Sequence, residues 1–170
     1  MTAEPEFSRP VDVRQAGGRQ LRLEASEAER AALAARFALV RIERLEAEIS
    51  LERKGLAVDA TGRLVAAWVQ SCAVSAEDLP VAIDEEIAFR FVPASEAHRP
   101  DEELEIDVED CDEIEYSGTR IDIGEAVAQS LGLAIDPYAV GPQAGTVRSR
   151  LGGAEESGPF AVLKGLQPKA

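Results

Sequence analysis

Val40-Arg41-Ile42-Glu43-Arg44-Leu45-Glu46-Ala47-Glu48-Ile49-Ser50-Leu51 alternates apolar and charged residues, with one slip at Glu43-Arg44. A period of two sends successive side chains to opposite faces of a pleated strand, so this stretch is long, dry on one side and wet on the other. The slip predicts a β-bulge. Downstream, Asp59-Ala60-Thr61-Gly62 reads as a turn, and Leu64 to Val69 reads as a more continuously apolar strand near the sheet centre. Val81, Ile83, Ile87, Phe89 and Phe91 alternate again around a second slip at Glu85-Glu86. Successive strands joined by short turns imply an antiparallel meander rather than a parallel βαβ sheet.

Upstream, Phe7 to Val13 and Gln20 to Leu23 are strand candidates separated by Gln15-Ala16-Gly17-Gly18, which predicts a hairpin. Ser26 and Glu29 form a capping box for a helix over about Glu27 to Phe37, with Ala28, Ala32, Ala35 and Leu39 as its expected buried strip. Further on, Leu104, Ile106 and Val108 alternate with acids and predict one more strand pairing with the meander. A second helix should begin at about Ile123, where Asp122 and Glu125 stand three apart as a capping pair. Ile123, Ala126, Val127, Ser130, Leu131 and Ala134 make its apolar face, Glu125 and Gln129 face outward, and Pro137 fixes the end. The fold expected is α+β: an antiparallel β meander, curved and barrel-like, covered by two helices, with a flexible C-terminal tail. Residues 1–140 form one domain, the glycine-rich 141–158 a flexible linker, and 159–170 an apolar and basic tail motif.

Charge is distributed unevenly. Residues 1–76 carry 11 basic and 11 acidic side chains, 77–138 carry 3 and 19, and 139–170 carry 4 and 2, for a net charge of −14 at pH 7. A region as acidic as 77–138 repels phosphates, since binding RNA needs cations that displace counterions. Direct RNA contact would have to come from Arg36, Arg41, Arg44, Arg53, Lys54 and Arg63, although five acids between positions 36 and 63 almost cancel them. No run of 18 apolar residues suits a membrane span, and Met1 to Glu6 has neither a basic nor an apolar region, so a cytoplasmic location is expected.

Chemistry is sparse. Cys72 and Cys111 stand far apart in sequence and read as free, reduced thiols. His98 lies in a proline-bounded acidic stretch with no nucleophile nearby, and phosphate loops and nucleophile elbows are missing from the sequence. No metal, cofactor or catalytic residue is expected, and the protein is expected not to be an enzyme. In the tail, Phe160, Val162, Leu163 and Leu166 beside Lys164 suit docking either on a partner groove or back on the chain's own sheet.

Glu115-Tyr116-Ser117-Gly118-Thr119-Arg120-Ile121-Asp122-Ile123-Gly124-Glu125-Ala126-Val127, closed by Asp136-Pro137-Tyr138, together with Pro159-Phe160-Ala161-Val162-Leu163-Lys164-Gly165-Leu166, resembles the YceD family, the large ribosomal RNA subunit accumulation proteins. The likeness covers roughly residues 60–140 plus the tail. It implies a non-enzymatic ribosome-assembly factor that supports accumulation or maturation of 23S ribosomal RNA by binding the pre-ribosomal large subunit, through RNA or a basic ribosomal protein. The competing expectation is an acidic holding module for a basic client unrelated to the ribosome. The resemblance also points to Tyr116, Ser117 and Gly118 as interaction candidates beside their role as a strand end and turn; Asp122 and Glu125 are candidates as an acidic contact pair, with the capping role beside it, and Phe160, Leu163, Lys164 and Leu166 are candidates as the tethered apolar motif. Some YceD relatives carry a Cys-x-x-Cys pair near Cys72 and further tail cysteines. Here the run is Cys72-Ala73-Val74-Ser75 and the tail lacks cysteine, so the resemblance carries no zinc site to this chain.

Overall fold

A computed structural model describes residues 5–94 and 113–152 of the chain. The elements in order are β1 (Pro10–Asp12), a short 3₁₀ turn (Val13–Gln15), β2 (Arg19–Glu24), α1 (Glu27–Arg36), β3 (Arg41–Lys54), β4 (Ala57–Ser71), β5 (Asp78–Pro93), β6 (Glu113–Tyr116), β7 (Arg120–Asp122), α2 (Ile123–Ala134) and α3 (Ala144–Gly152). Five strands form one sheet in the order β2-β3-β4-β5-β6, and β1 pairs with β7 in a separate ribbon. The fold is α+β with a mostly antiparallel sheet, as the alternation predicts; the sheet remains open rather than barrel-closed.

The long alternating strand lies where its period places it. Ile42, Leu45, Ala47, Ile49 and Leu51 are buried, and the pairing with β4 shifts between Ile42 and Arg44 to form the expected bulge. Val40, however, precedes the strand and is 46% exposed. The expected turn at Asp59–Gly62 instead lies within the first half of β4; the chain reverses at Gly55-Leu56, where Gly55 adopts φ +69°. Gly62 serves a different need. A Cβ there would lie 2.0 Å from the Glu48 carbonyl oxygen, so only glycine lets β3 and β4 approach this closely. β5 has no second slip: its register against β4 is continuous from Ser71↔Asp78 to Val58↔Phe91. Val81, Ile83, Ile87, Phe89 and Phe91 are all in phase, and Glu85 occupies a position on their own face.

Two expectations about the N-terminal half fail for tertiary reasons. β1 and β2 do not form a hairpin, because β1 pairs with β7 through Val11↔Ile121 while β2 pairs with β3. The alanine strip of α1 faces water, and the helix buries Leu33 and Ala34. Alanines on all sides leave the choice of face to the one large residue, Leu33, since burial gain scales with apolar area. The cap itself forms as read: Ser26 Oγ accepts from Glu29 N–H, and the Glu29 carboxylate accepts from Ser26 N–H at 2.7 Å.

α1 packs on β3, and the main core gathers Trp68, Phe7, Phe91, Leu33, Leu45, Ile49, Leu64 and Ile121 with the α2 residues Ile123, Val127 and Leu131. Gly124 lets α2 sit against the N-terminal segment, because a Cβ would fall 2.3 Å from the Phe7 carbonyl oxygen. β5 joins β6 in parallel, Arg90↔Glu113 through Pro93↔Tyr116, which breaks the all-antiparallel expectation. The glycine-rich stretch also departs from the linker expected, carrying α3 up to Gly152. Its anchor is polar: Ala73 N–H donates to Ala139 O at 3.0 Å, Gly141 N–H to Cys72 Sγ at 3.3 Å and Gln143 N–H to Glu77 Oε1 at 3.0 Å. The expected strand at Leu104–Val108, His98, Cys111 and the tail from 153 onward lie outside the described residues.

Candidate functional site

β6, the turn after it, β7 and the first turns of α2 enclose a cleft of about 310 Å³. It brings together four of the interaction candidates, Tyr116, Ser117, Asp122 and Glu125, with Arg120, Gln129, Phe91 and Ile114. Gly118 holds the turn at φ +82°, a conformation that suits glycine although nothing crowds a Cβ there. Tyr116 Oη donates to the Leu56 carbonyl oxygen at 2.7 Å and so ties the strand end to the β3–β4 turn.

Asp122 and Glu125 have internal partners. Asp122 Oδ1 accepts from Glu125 N–H at 3.1 Å and from Arg9 N–H at 2.8 Å, while Ser8 Oγ donates to Oδ2. Asp122 therefore caps α2 and fastens the N-terminal segment in one act. Glu125 does not reach back to close a capping box; it forms a two-point pair with Arg36 at 2.8 and 3.0 Å, and Arg36 also donates to Glu6 at 3.0 Å. These carboxylates raise the Arg36 pKa, Glu125 most of all. Beside them, Arg9 grips Glu29 at 2.7 and 3.0 Å and stacks over the Phe7 ring at 4.5 Å. The Arg9 guanidinium, with help from Ser26, lowers the Glu29 carboxyl to about 2.

The six cations singled out for RNA contact do not gather into a positive patch. Arg36 is on α1, and the others lie along β3 and β4. Arg41 pairs with Glu43 at 3.0 Å, Arg44 with Glu46 at 2.8 Å and Lys54 with Asp59 at 2.7 Å. Arg63 pairs with Asp84 in a two-point contact, its Nη2 at 2.7 Å from Oδ2. Arg53 turns its Nε to the Gly55 carbonyl oxygen at 2.8 Å. Arg63 in turn holds the Asp84 carboxyl below its ordinary pKa, as Arg44 does for Glu46. Composition revealed the opposing charges, but the register of the strands decided which ones meet.

A second groove shares Ile114, Ala126 and Gln129 with the first and runs on past Ile87, Phe89, Ser130 and Leu133. Sequence reasoning passed over its most conspicuous member, Leu133, which is 88% exposed; its place outside the α2 apolar stripe was the available signal. Elsewhere, buried Cys72 accepts at Sγ from the N–H groups of Val74, Ser75 and Gly141 at 3.3–3.4 Å. Those donors, Gly141 first, lower the thiol to about 7. Among the described residues no three His, Cys, Asp or Glu side chains are grouped to hold a metal, and no helix is long and apolar enough to cross a membrane.

The described residues form an open α+β sheet with shallow clefts and a charge-laced outer face. Residues 60–167 match the family described as Large ribosomal RNA subunit accumulation protein YceD. The chain belongs to the YceD family. No curated protein and no solved structure matches it. The family description ties the chain to the large ribosomal subunit and its RNA.

Proposed function

We propose that this protein supports accumulation of 23S ribosomal RNA without catalysing a reaction, by binding a basic ribosomal protein or assembly partner of the pre-ribosomal large subunit in the cytoplasm. The observation that carries the choice of partner is the pairing of the cations. Arg36, Arg41, Arg44, Lys54 and Arg63 each lie against a carboxylate, so phosphate oxygens would have to displace those partners. Glu85, Glu86 and Glu115, by contrast, are exposed on β5 and β6 with no ion-pair partner among the described residues, and Asp78, Asp84 and Glu113 add exposed carboxylates that Arg41, Arg63 and Arg90 answer in part. A negative surface attracts a basic partner and steers its approach, and salt weakens both effects.

Gradient fractionation of cell extract tests this. The protein should co-migrate with large-subunit particles at low salt and leave them at high salt; a protein that stays at the top of the gradient at every salt concentration contradicts the proposal. The alternative, a holding module for a basic client unrelated to the ribosome, is favoured by the same acidic surface. In a strain lacking the gene, the ratio of large- to small-subunit RNA falls under the first reading and stays normal under the second.

A further inference from the structure

Among the described residues, β5 pairs with β4 from Asp78 to Phe91 on one side and over only a quarter of its length on the other. It runs from Asp78 to Pro93, but β6 pairs with Arg90–Pro93 alone. Backbone groups of alternate residues in a strand point to opposite sides. Two hydrogen bonds fix which set points where: Glu77 O accepts from Cys72 N–H at the end of β4, at 2.8 Å, and Ala94 N–H donates to Tyr116 O of β6 at 2.9 Å. Odd residues therefore face β4 and even residues face the far side. Pro80, which has no N–H to give, falls in the even set, where its loss costs no ladder bond. Among the described residues, the amides of Ala82, Asp84, Glu86 and Ala88 have no strand beside them.

The side chains along this edge define what fits. Val81, Ile83, Ile87 and Phe89 are half-buried on the inner side and lead across Ile114 to exposed Leu133. The strand carries four acids, Asp78, Asp84, Glu85 and Glu86, and a single cation, Arg90. Glu85 stands in the apolar row opposite Leu64, and neither it nor Glu86 has an ion-pair partner among the described residues.

We propose that the β5 edge takes up an extended segment of a basic partner protein as an added strand, apolar residues toward Ile83 and Ile87, and lysines or arginines on the opposite face toward Glu86, beside the Asp84 that Arg63 holds. This rests on the basic-partner reading above and gives it a location. Two other occupants are disfavoured by charge. A second copy paired two-fold about the middle of the edge would set Asp84-Glu85-Glu86 against itself. Residues 101–110 of the same chain, with seven acids, would do the same.

Residue-resolved hydrogen exchange on the full chain tests the proposal, with the octapeptide (Lys-Val)4 as probe and (Glu-Val)4 as control. The amides of Ala82, Asp84, Glu86 and Ala88 should exchange fast in the free protein and slow by about tenfold or more with the lysine peptide only. Ala88→Pro removes one outward N–H and leaves β4 untouched, so it should weaken peptide binding by about five- to tenfold at unchanged melting temperature. The double substitution Glu85→Gln with Glu86→Gln should weaken it at low salt, and it serves in place of Ala88→Pro should that variant not fold. Edge amides already slow in the free chain overturn the proposal, in favour of a second copy when protection rises with concentration, or of the chain's own tail when it vanishes on deleting 159–170. Peptide binding equal in the variants and the native chain overturns it too. Co-migration with ribosomal particles separates the two levels: particles bound without peptide binding refute the edge alone, and peptide binding without particles refutes the ribosomal reading alone.

Discussion

Glu29 does two jobs from one position: it closes the α1 capping box and holds Arg9 against Phe7. Its carboxyl has an ordinary pKa of 4.5 and lies near 2 in the folded protein, mainly because of Arg9. Between those values the unfolded chain binds the proton and the folded chain does not, so the stability from this group is present above about pH 4.5 and fades as pH falls toward 2. Glu29→Gln should cost about 1–2 kcal/mol at pH 7 in urea unfolding, and the gap to the native chain should close over that acid window. Gly62 permits a sharper expectation. With the Glu48 carbonyl oxygen 2.0 Å from a new Cβ, Gly62→Ala must push β3 and β4 apart, and a loss of about 2 kcal/mol or more should appear in thermal melting.

Elements in this fold are joined by polar fasteners as much as by apolar faces. Asp122 caps α2 and holds Ser8 and Arg9 at once, so Asp122→Ala should cost about 2 kcal/mol in chemical denaturation, at the upper end of an N-cap loss. The entry to α3 depends on the loop between β4 and β5. Glu77 Oε1 accepts from Gln143 N–H and from Ser75 Oγ, and Glu77→Ala should speed amide exchange at Ala139–Gln143 while global melting barely moves. A large drop in melting temperature would instead mean that this segment holds the sheet together. β5 shows the limit of pattern reading at this scale: the Glu85-Glu86 pair looks like a slip, yet the strand keeps its phase and exposes Glu85 on its apolar face.

Across the whole molecule, charge is unevenly spread, and the function proposed above rests on that spread. Arg41, Arg44 and Arg63 on β3 and β4 are paired, so under the proposed function replacing the three together with Gln should change association with large-subunit particles by less than about twofold, because exposed pairs of this kind contribute little. A tenfold loss in quantitative co-sedimentation would instead make those residues direct RNA contacts. Among the described residues α1 packs on β3, and Val81, Ile83, Ile87 and Phe89 of β5 are half-buried where the inner residues of β3 and β4 are buried.

The sequence by itself determined the local features whose causes lie within a few residues: the alternation and bulge of β3, both N-caps, the stop at Pro137, the α+β class and the gathering of acid between 77 and 138. It also named four residues of the cleft beside β6 and α2, because the strand, turn and cap that place them are contiguous in the chain. Tertiary structure decided what depends on distant partners. Gly62 looks like a turn residue until Glu48 lies against it, β1 looks like half of a hairpin until Ile121 pairs with Val11, and 141–152 looks too poor in apolar residues to order until Cys72 and Glu77 accept its N–H groups. Periodicity records which face of an element is apolar. Which neighbour covers that face, and which carboxylate answers which arginine, follows from long-range pairing that no window of sequence contains.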